Sequence, residues 1–176
     1  MCLICDGWTP EQVLQHHLDD TDRVGFSVVA VHGEVSWVYT VGLRWRFDLP
    51  ELAVVGWPPD DAAHVIHHAV ELARDGAPAL RCGSTLTVGD GHIGVGRVAP
   101  ANLVGEWFAW WSEIARAADR GHRSLRAVQL RPSCVGSCRE PHDLLDRALE
   151  RRRTPASLAR ARRRLLGDEL GDESGR

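Results

Sequence analysis

The chain contains no lysine: all 21 of its basic residues are arginine. That excludes a lysine nucleophile or Schiff base, and the bias itself reads as the codon usage of a high-GC genome. Tyrosine and methionine occur once each and phenylalanine three times, so seven tryptophans carry most of the aromatic bulk. No apolar run approaches the ~20 residues needed to span a bilayer. No charged segment followed by an apolar stretch opens the sequence. Neither charge sign prevails: 24 acidic against 21 basic residues give a formal net charge of -3, which supplies no general attraction to nucleic acid or membrane. A cytoplasmic location is the default expectation. There, cysteines are expected to be reduced, ligating or catalytic rather than joined in structural disulfides.

What is present suits one globular domain, since 176 residues that are 44% hydrophobic can bury a core. Thr9-Pro10-Glu11-Gln12 is a helix start, with Thr capping, Pro at the first helical position and Gln closing a capping box. That helix is expected to run to about Asp20 or Asp22, burying Val13, Leu14 and Leu18, with Gly25 beyond its end. Strands are expected at 26–32, at 35–43 after a Gly33-Glu34 turn, and at 52–56, a continuous apolar run suited to a strand covered on both faces. Pro58-Pro59-Asp60-Asp61 opens a second helix ending near Gly76. Gly89-Asp90-Gly91 predicts a hairpin of 85–88 with 92–98, followed by a third helix over 102–120, stopped by Gly121, and a last strand at 125–131. The fold class is therefore α+β: a largely antiparallel sheet of about five strands packed by helices. From Pro141 the composition turns to Arg, Leu, Ala and Glu, which divides the chain into a domain at 1–139 and an Arg-rich helical extension with a frayed tail at 140–176.

The chemistry-bearing residues gather at the two ends of the domain. Cys2-Leu3-Ile4-Cys5 can grip one metal ion or close one reversible disulfide. Cys134 and Cys138 form a second close pair, with His142 four residues on, and zinc is the metal that such thiolate and imidazole ligands suit. The alternative is two unrelated reduced pairs, one of them on a frayed terminus. Five is an odd count, which leaves Cys82 outside any pairing. Removal of Met1 would expose a free α-amine on Cys2, an amine that can serve as base to its own thiol. For a redox role the neighbourhood is unfavourable, because Asp6 raises a nearby thiol's pKa.

Other clusters have simpler readings. His64, His68 and Glu71 fall within about 60° of one another on the second helix at ~100° per residue, nearly opposite the Val65, Ile66, Ala69 and Ala73 stripe, so a solvated face is expected. Leu103, Trp107, Trp110, Trp111 and Ile114 form a stripe that could stack a flat ligand but better suits a helix clamped on a sheet. The Gly89-x-Gly91 and Gly94-x-Gly96 segments lie in a hairpin rather than between a strand and a helix, which disqualifies them as phosphate loops. Arg151–Arg153 and Arg162–Arg164 lack interleaved aromatics and read as a solvated surface. Glu51, opening a buried strand, is a candidate functional carboxylate or a buried hydrogen-bonded structural one.

Cys2-x-x-Cys5-Asp6, Tyr39-Thr40-Val41-Gly42-Leu43, and Pro50-Glu51 leading to Gly56 resemble the bacterial, mainly actinobacterial, domain of unknown function 4262 family. With Gln129-Leu130 in the last strand, the resemblance covers roughly residues 2–131. It implies no established activity, cofactor or catalytic residue. Family members tend to continue past the last strand with Trp/Pro-rich sequence, where this chain has Cys134, Cys138 and an arginine-rich tail; the resemblance therefore does not imply a four-cysteine site. Three functions follow from the residues. The first is a binding or regulatory module with zinc held by Cys2, Cys5, Cys134 and Cys138, with His142 in reserve. The second is a thiol enzyme or redox switch using Cys2 and Cys5, and the third a protein-partner-binding domain with incidental cysteines.

Overall fold

A computed structural model describes residues 3–4, 6–33, 35–76, 80–88, 91–104, 106–120 and 124–133. Thr9 starts the first helix as expected. Its Oγ1 accepts from the Gln12 amide at 3.3 Å while Gln12 Oε1 accepts from the Thr9 amide at 2.8 Å. The helix, α1 (Pro10–Val24), ends on Gly25 at φ 94°, whose N–H donates to the Thr21 carbonyl. A Cβ at Gly25 would lie 2.6 Å from the Phe47 ring, so both dihedral and space require glycine there.

Six strands form one sheet: β1 (Ser27–Val31), β2 (Trp37–Val41), β3 (Glu51–Val55), β4 (Thr85–Val88), β5 (Gly91–Arg97) and β6 (Ala127–Ser133). Their order is β1-β2-β3-β6-β5-β4. Every pairing is antiparallel except β3 with β6, so the expected class and strand orientation hold, with six strands in place of about five. The hairpin pairs Val88 with Gly91, as its turn signal predicts. The last strand in sequence sits inside the sheet, between β3 and β5.

Helices cover both faces. On one, α3 (Pro59–Arg74) packs Ile66, Ala69 and Val70 onto Val38, Leu52, Val54, Leu86, Ile93 and Leu130. On the other, Trp107, Phe108, Trp111 and Ile114 join Val29, Tyr39, Val41, Ala53 and Val55, with Leu14 and Leu18 of α1 packed against them. Double coverage explains why β2 and β3 are buried along their whole length, and why 52–56 reads as an unbroken apolar run. The tryptophan stripe is core. Trp37 Nε1 donates to the Trp107 carbonyl at 2.9 Å, and the two rings lie 4.8 Å apart.

Two expectations need correction. The third helix does not run over 102–120: Pro100–Asn102 and Glu106–Phe108 are separate 3-10 turns, and the helix itself, α4, is Ala109–Ala117. Its apolar spacing is real, but Val104 and Gly105 are weak helix formers, and Trp37 claims the Trp107 carbonyl. At the other end the helix closes before Gly121, with Asp119 at φ 54° and the Arg120 amide donating to the Ala115 carbonyl at 2.7 Å. The second correction is a short helix, α2 (Leu43–Arg46), where a strand was expected to continue to Leu43. Gly42, at φ 118°, turns the chain out of β2.

The histidine face of α3 is as expected. His64 is exposed, and His68 Nδ1 lies 3.7 Å from Glu71 Oε2 on the solvent side, a contact of little energetic weight. Alanine at both His64 and His68 should change unfolding free energy by less than about 1 kcal/mol. Ile66→Ala, on the buried side of the same helix, should cost about 2–5 kcal/mol. Urea denaturation of the two variants measures the contrast, and a large loss in the histidine variant would show that this face supports the fold.

Candidate functional site

Glu51 opens β3 with no exposed surface. Its carboxylate accepts from Thr40 Oγ1 at 2.7 Å, from the amides of Gly42, Leu43 and Arg44 at 3.1, 3.3 and 3.3 Å, and from Trp111 Nε1 at 3.4 Å. Thr40 Oγ1 in turn accepts from the Leu52 amide at 2.9 Å, which commits its own proton to Glu51. The carboxylate thus supplies the acceptor that the first turn of α2 lacks, because Gly42 has no side chain to cap with. Next to it, the Tyr39 hydroxyl accepts from the Trp110 and Trp111 amides in the first turn of α4, and burial pushes the phenol pKa up. The Tyr39-Thr40-Val41-Gly42-Leu43 block and Glu51 therefore form a polar lock that joins β2, α2, β3 and α4. Burial pushes the Glu51 carboxyl up to about 7, against the pull of Thr40 and the backbone donors.

A cleft of about 460 Å³ opens beside this lock, between α1, α2 and the end of α4. Gly25, Gly42 and Trp45 line it together with Gln15, Thr21, Asp22, Arg46, Asp119 and Arg120, so charges of both signs face one opening. The Trp45 Nε1 is sealed from solvent and has no hydrogen-bond partner among the described residues.

A second cavity, about 230 Å³, lies between the N-terminal segment, α1 and β1. Leu3, Ile4, Val13, Val28 and Trp110 line it together with the imidazoles of His16 and His17, so polar and apolar surface face it in similar measure. His17 is only 5% exposed. Its Nδ1 lies 2.8 Å from Ser27 Oγ, and Ser27 Oγ lies 3.2 Å from Asp20 Oδ2. Asp20 accepts the Ser27 proton, so Ser27 accepts from His17 Nδ1–H, and the ring's lone pair is left on Nε2. Burial, reinforced by the neighbouring His16, pulls the His17 pKa down to about 4, so the ring is neutral at neutral pH.

The family can now be stated. The model described as Domain of unknown function (DUF4262) matches residues 20–133. The chain belongs to this family. No curated protein and no solved structure matches it. The resemblance motif is thereby located: its central block is the polar lock rather than an open catalytic centre. Glu51, the carboxylate singled out in the sequence, has the buried hydrogen-bonded role.

Of the other sequence candidates, Cys82 is a free, exposed thiol. Cys2, Cys5, Cys134, Cys138 and His142 lie outside the described residues, as does the extension at 140–176. Among the described residues, no group of three or more His, Cys, Asp or Glu could hold a metal ion, and no helix is long and apolar enough to cross a membrane. Gly91, Gly94 and Gly96 are strand residues of β5, not a phosphate loop. Sequence reasoning passed over His17, although a signal existed: it follows Val13 by four residues and Leu14 by three, on the face expected to be buried. For the cleft no local signal existed, since its walls come from three helices distant in sequence.

Glu51 ties stability to pH. Its ordinary value of 4.5 applies in the unfolded chain and about 7 in the folded one, so its contribution is full below 4.5 and is lost as pH rises through 7. Glu51→Gln has no such titration. The stability difference between wild type and E51Q should therefore move against wild type as pH rises across that window, read by urea unfolding at each pH. Glu51→Ala leaves several buried donors unmet and should cost about 3 kcal/mol or more at any pH. A pH-independent difference between wild type and E51Q would show that burial does not raise this group.

Proposed function

We propose that the domain is a binding module, and that the cleft between α1, α2 and α4 takes a small polar ligand carrying both a carboxylate and a cationic group. The observation that carries this reading is the pairing of Arg46 and Arg120 with Asp22 and Asp119 around one opening, over a floor of Gly25 and Gly42. Arginine suits bidentate recognition of a carboxylate, and an aspartate suits an ammonium. The volume falls within the range of about 300–1,000 Å³ found for small-molecule sites. The polar lock behind Gly42 fixes the floor, which favours recognition by a pre-formed surface.

Binding is a better reading than catalysis on the described residues. Glu51 has no access to a substrate, and the cleft offers acids and arginines without an activated nucleophile. The zinc reading for Cys2, Cys5, Cys134, Cys138 and His142 is supported by residue type and spacing.

A thermal-shift series with free amino acids and dipeptides tests the cleft. A ligand at a hundredfold excess over its Kd should stabilise the protein by about 2.7 kcal/mol. Arg46→Gln and Asp22→Asn, both at exposed positions, should each abolish the shift while leaving the unliganded transition near wild type. A shift that survives both substitutions would place the ligand elsewhere, and no shift with any zwitterion would overturn the reading.

A further inference from the structure

The floor of the cleft is thin, and a buried carboxyl lies behind it. Gly42 lines the opening, and its amide donates to Glu51 Oε1 at 3.1 Å. Gly42 has no side chain to hold a ligand off, so a group resting on it is separated from the carboxyl by one peptide unit. The separation is then about 7 to 8 Å, a van der Waals contact added to a hydrogen bond. Glu51 has no exposed surface, so water and salt screen that gap little.

Two helices add potential of the same sign. The last turn of α1 supplies Thr21, Asp22 and Gly25 to the cleft, and the end of α4 supplies Ala117 and Ala118. Both helices thus bring their C-terminal, negative ends to one opening. The short α2 meets it with its N-terminus, but Glu51 already accepts from the amides there. Arg46 and Arg120 are exposed, so the cations of the site stand toward solvent while the buried group is an acid.

We propose that the cationic end of the cleft's ligand rests on the Gly25–Gly42 floor, with its carboxylate on Arg46 and Arg120, and that its binding expels the Glu51 proton to solvent. This rests on the reading of the cleft as a zwitterion site and adds the ligand's orientation and a proton linkage. The exchange is balanced: a positive charge enters, the Glu51 O–H bond breaks, and one proton passes to the buffer. Burial pushes the carboxyl up to about 7, so part of the molecules carry that proton at neutral pH. The ionisable groups on the surrounding elements are identifiable. Tyr39 of β2 is a phenol whose pKa burial raises, and Arg44 of α2 pairs with Asp48. On α4, Glu113 and Arg116 pair with each other at the surface. Arg126, before β6, is exposed, and α1 brings Asp22 to the cleft. His67 of α3 lies against Phe26, in the core on the other face of the sheet.

The test measures the affinity of free amino acids and dipeptides for the full-length protein between about pH 5 and pH 8. Wild type should bind roughly tenfold tighter at the upper end, the size expected for unit charges at this separation at an effective dielectric near ~20. Glu51→Gln should bind with a flat profile over the same range. A second measurement covers the case in which E51Q does not fold: the Glu51 side-chain ¹³C resonance of wild type, titrated with and without saturating ligand. Its midpoint should fall by about one pH unit when the cleft is filled. If no amino acid or dipeptide binds at any pH, the cleft reading fails and the linkage with it. Binding that is flat with pH in wild type, a profile retained in E51Q, or a Glu51 midpoint unmoved by ligand would each overturn the linkage alone.

Discussion

A carboxylate with no exposed surface needs directional partners, and Glu51 finds five donors from three elements: Thr40 of β2, the first amides of α2, and Trp111 of α4. This constraint organises much of the molecule. Apolar packing holds the helices on the sheet, but it is not directional and tolerates sliding. The Glu51 bonds do not. Thr40 fixes the register between the ends of β2 and β3, the three amides fix α2 on that junction, and the Trp111 indole fixes α4. Tyr39, one residue before Thr40, ties the same helix by its backbone. A buried polar network of this kind specifies one arrangement, because any other leaves its members unmet at low dielectric.

The lock reaches the first helix through glycine. A Cβ on Gly42 would stand 2.9 Å from the Gly25 carbonyl and 3.0 Å from the Phe26 Cα, so the turn into α2 touches the turn out of α1 backbone to backbone. That contact sets the floor of the cleft. The α1 residues that face the cleft, Gln15, Thr21 and Asp22, share a helix with His16 and His17 on the second cavity. One helix therefore carries walls of both cavities, and its position depends on a pair of glycines that no larger residue can replace.

Much of the fold was legible because its signals are local. The Thr9 capping box, the apolar run of β3, the Gly-Asp-Gly hairpin and the two-sided pattern of α3 each lie within a dozen residues and reappear in the structure. The misses are where a distant group intervenes. The α4 stripe was continuous in sequence, but Trp37, seventy residues upstream, engages the Trp107 carbonyl, and the helix begins only at Ala109. The helix α2 was invisible because its cap comes from Glu51, beyond its own C-terminus. The same distinction separates the sites. Cys-x-x-Cys announces itself as a motif, whereas the cleft exists only once three helices have met. His17 falls between: helical spacing placed it inside, but only the fold shows that Ser27 and Asp20 select its tautomer.

The division between lock and cleft bears on what family membership can say about function. The Tyr-Thr-Val-Gly-Leu block and Glu51, which carry the resemblance, fall within the matched residues 20–133 and act on the fold. Of the cleft's polar walls, Gln15 precedes that span, whereas Asp22, Arg46, Asp119 and Arg120 lie within it without taking part in the lock. A chain can keep the lock, and with it the sheet and its helices, while the exposed charges around the cleft change. Membership therefore implies the scaffold, and the chemistry proposed for the cleft depends on surface charges that the lock does not engage.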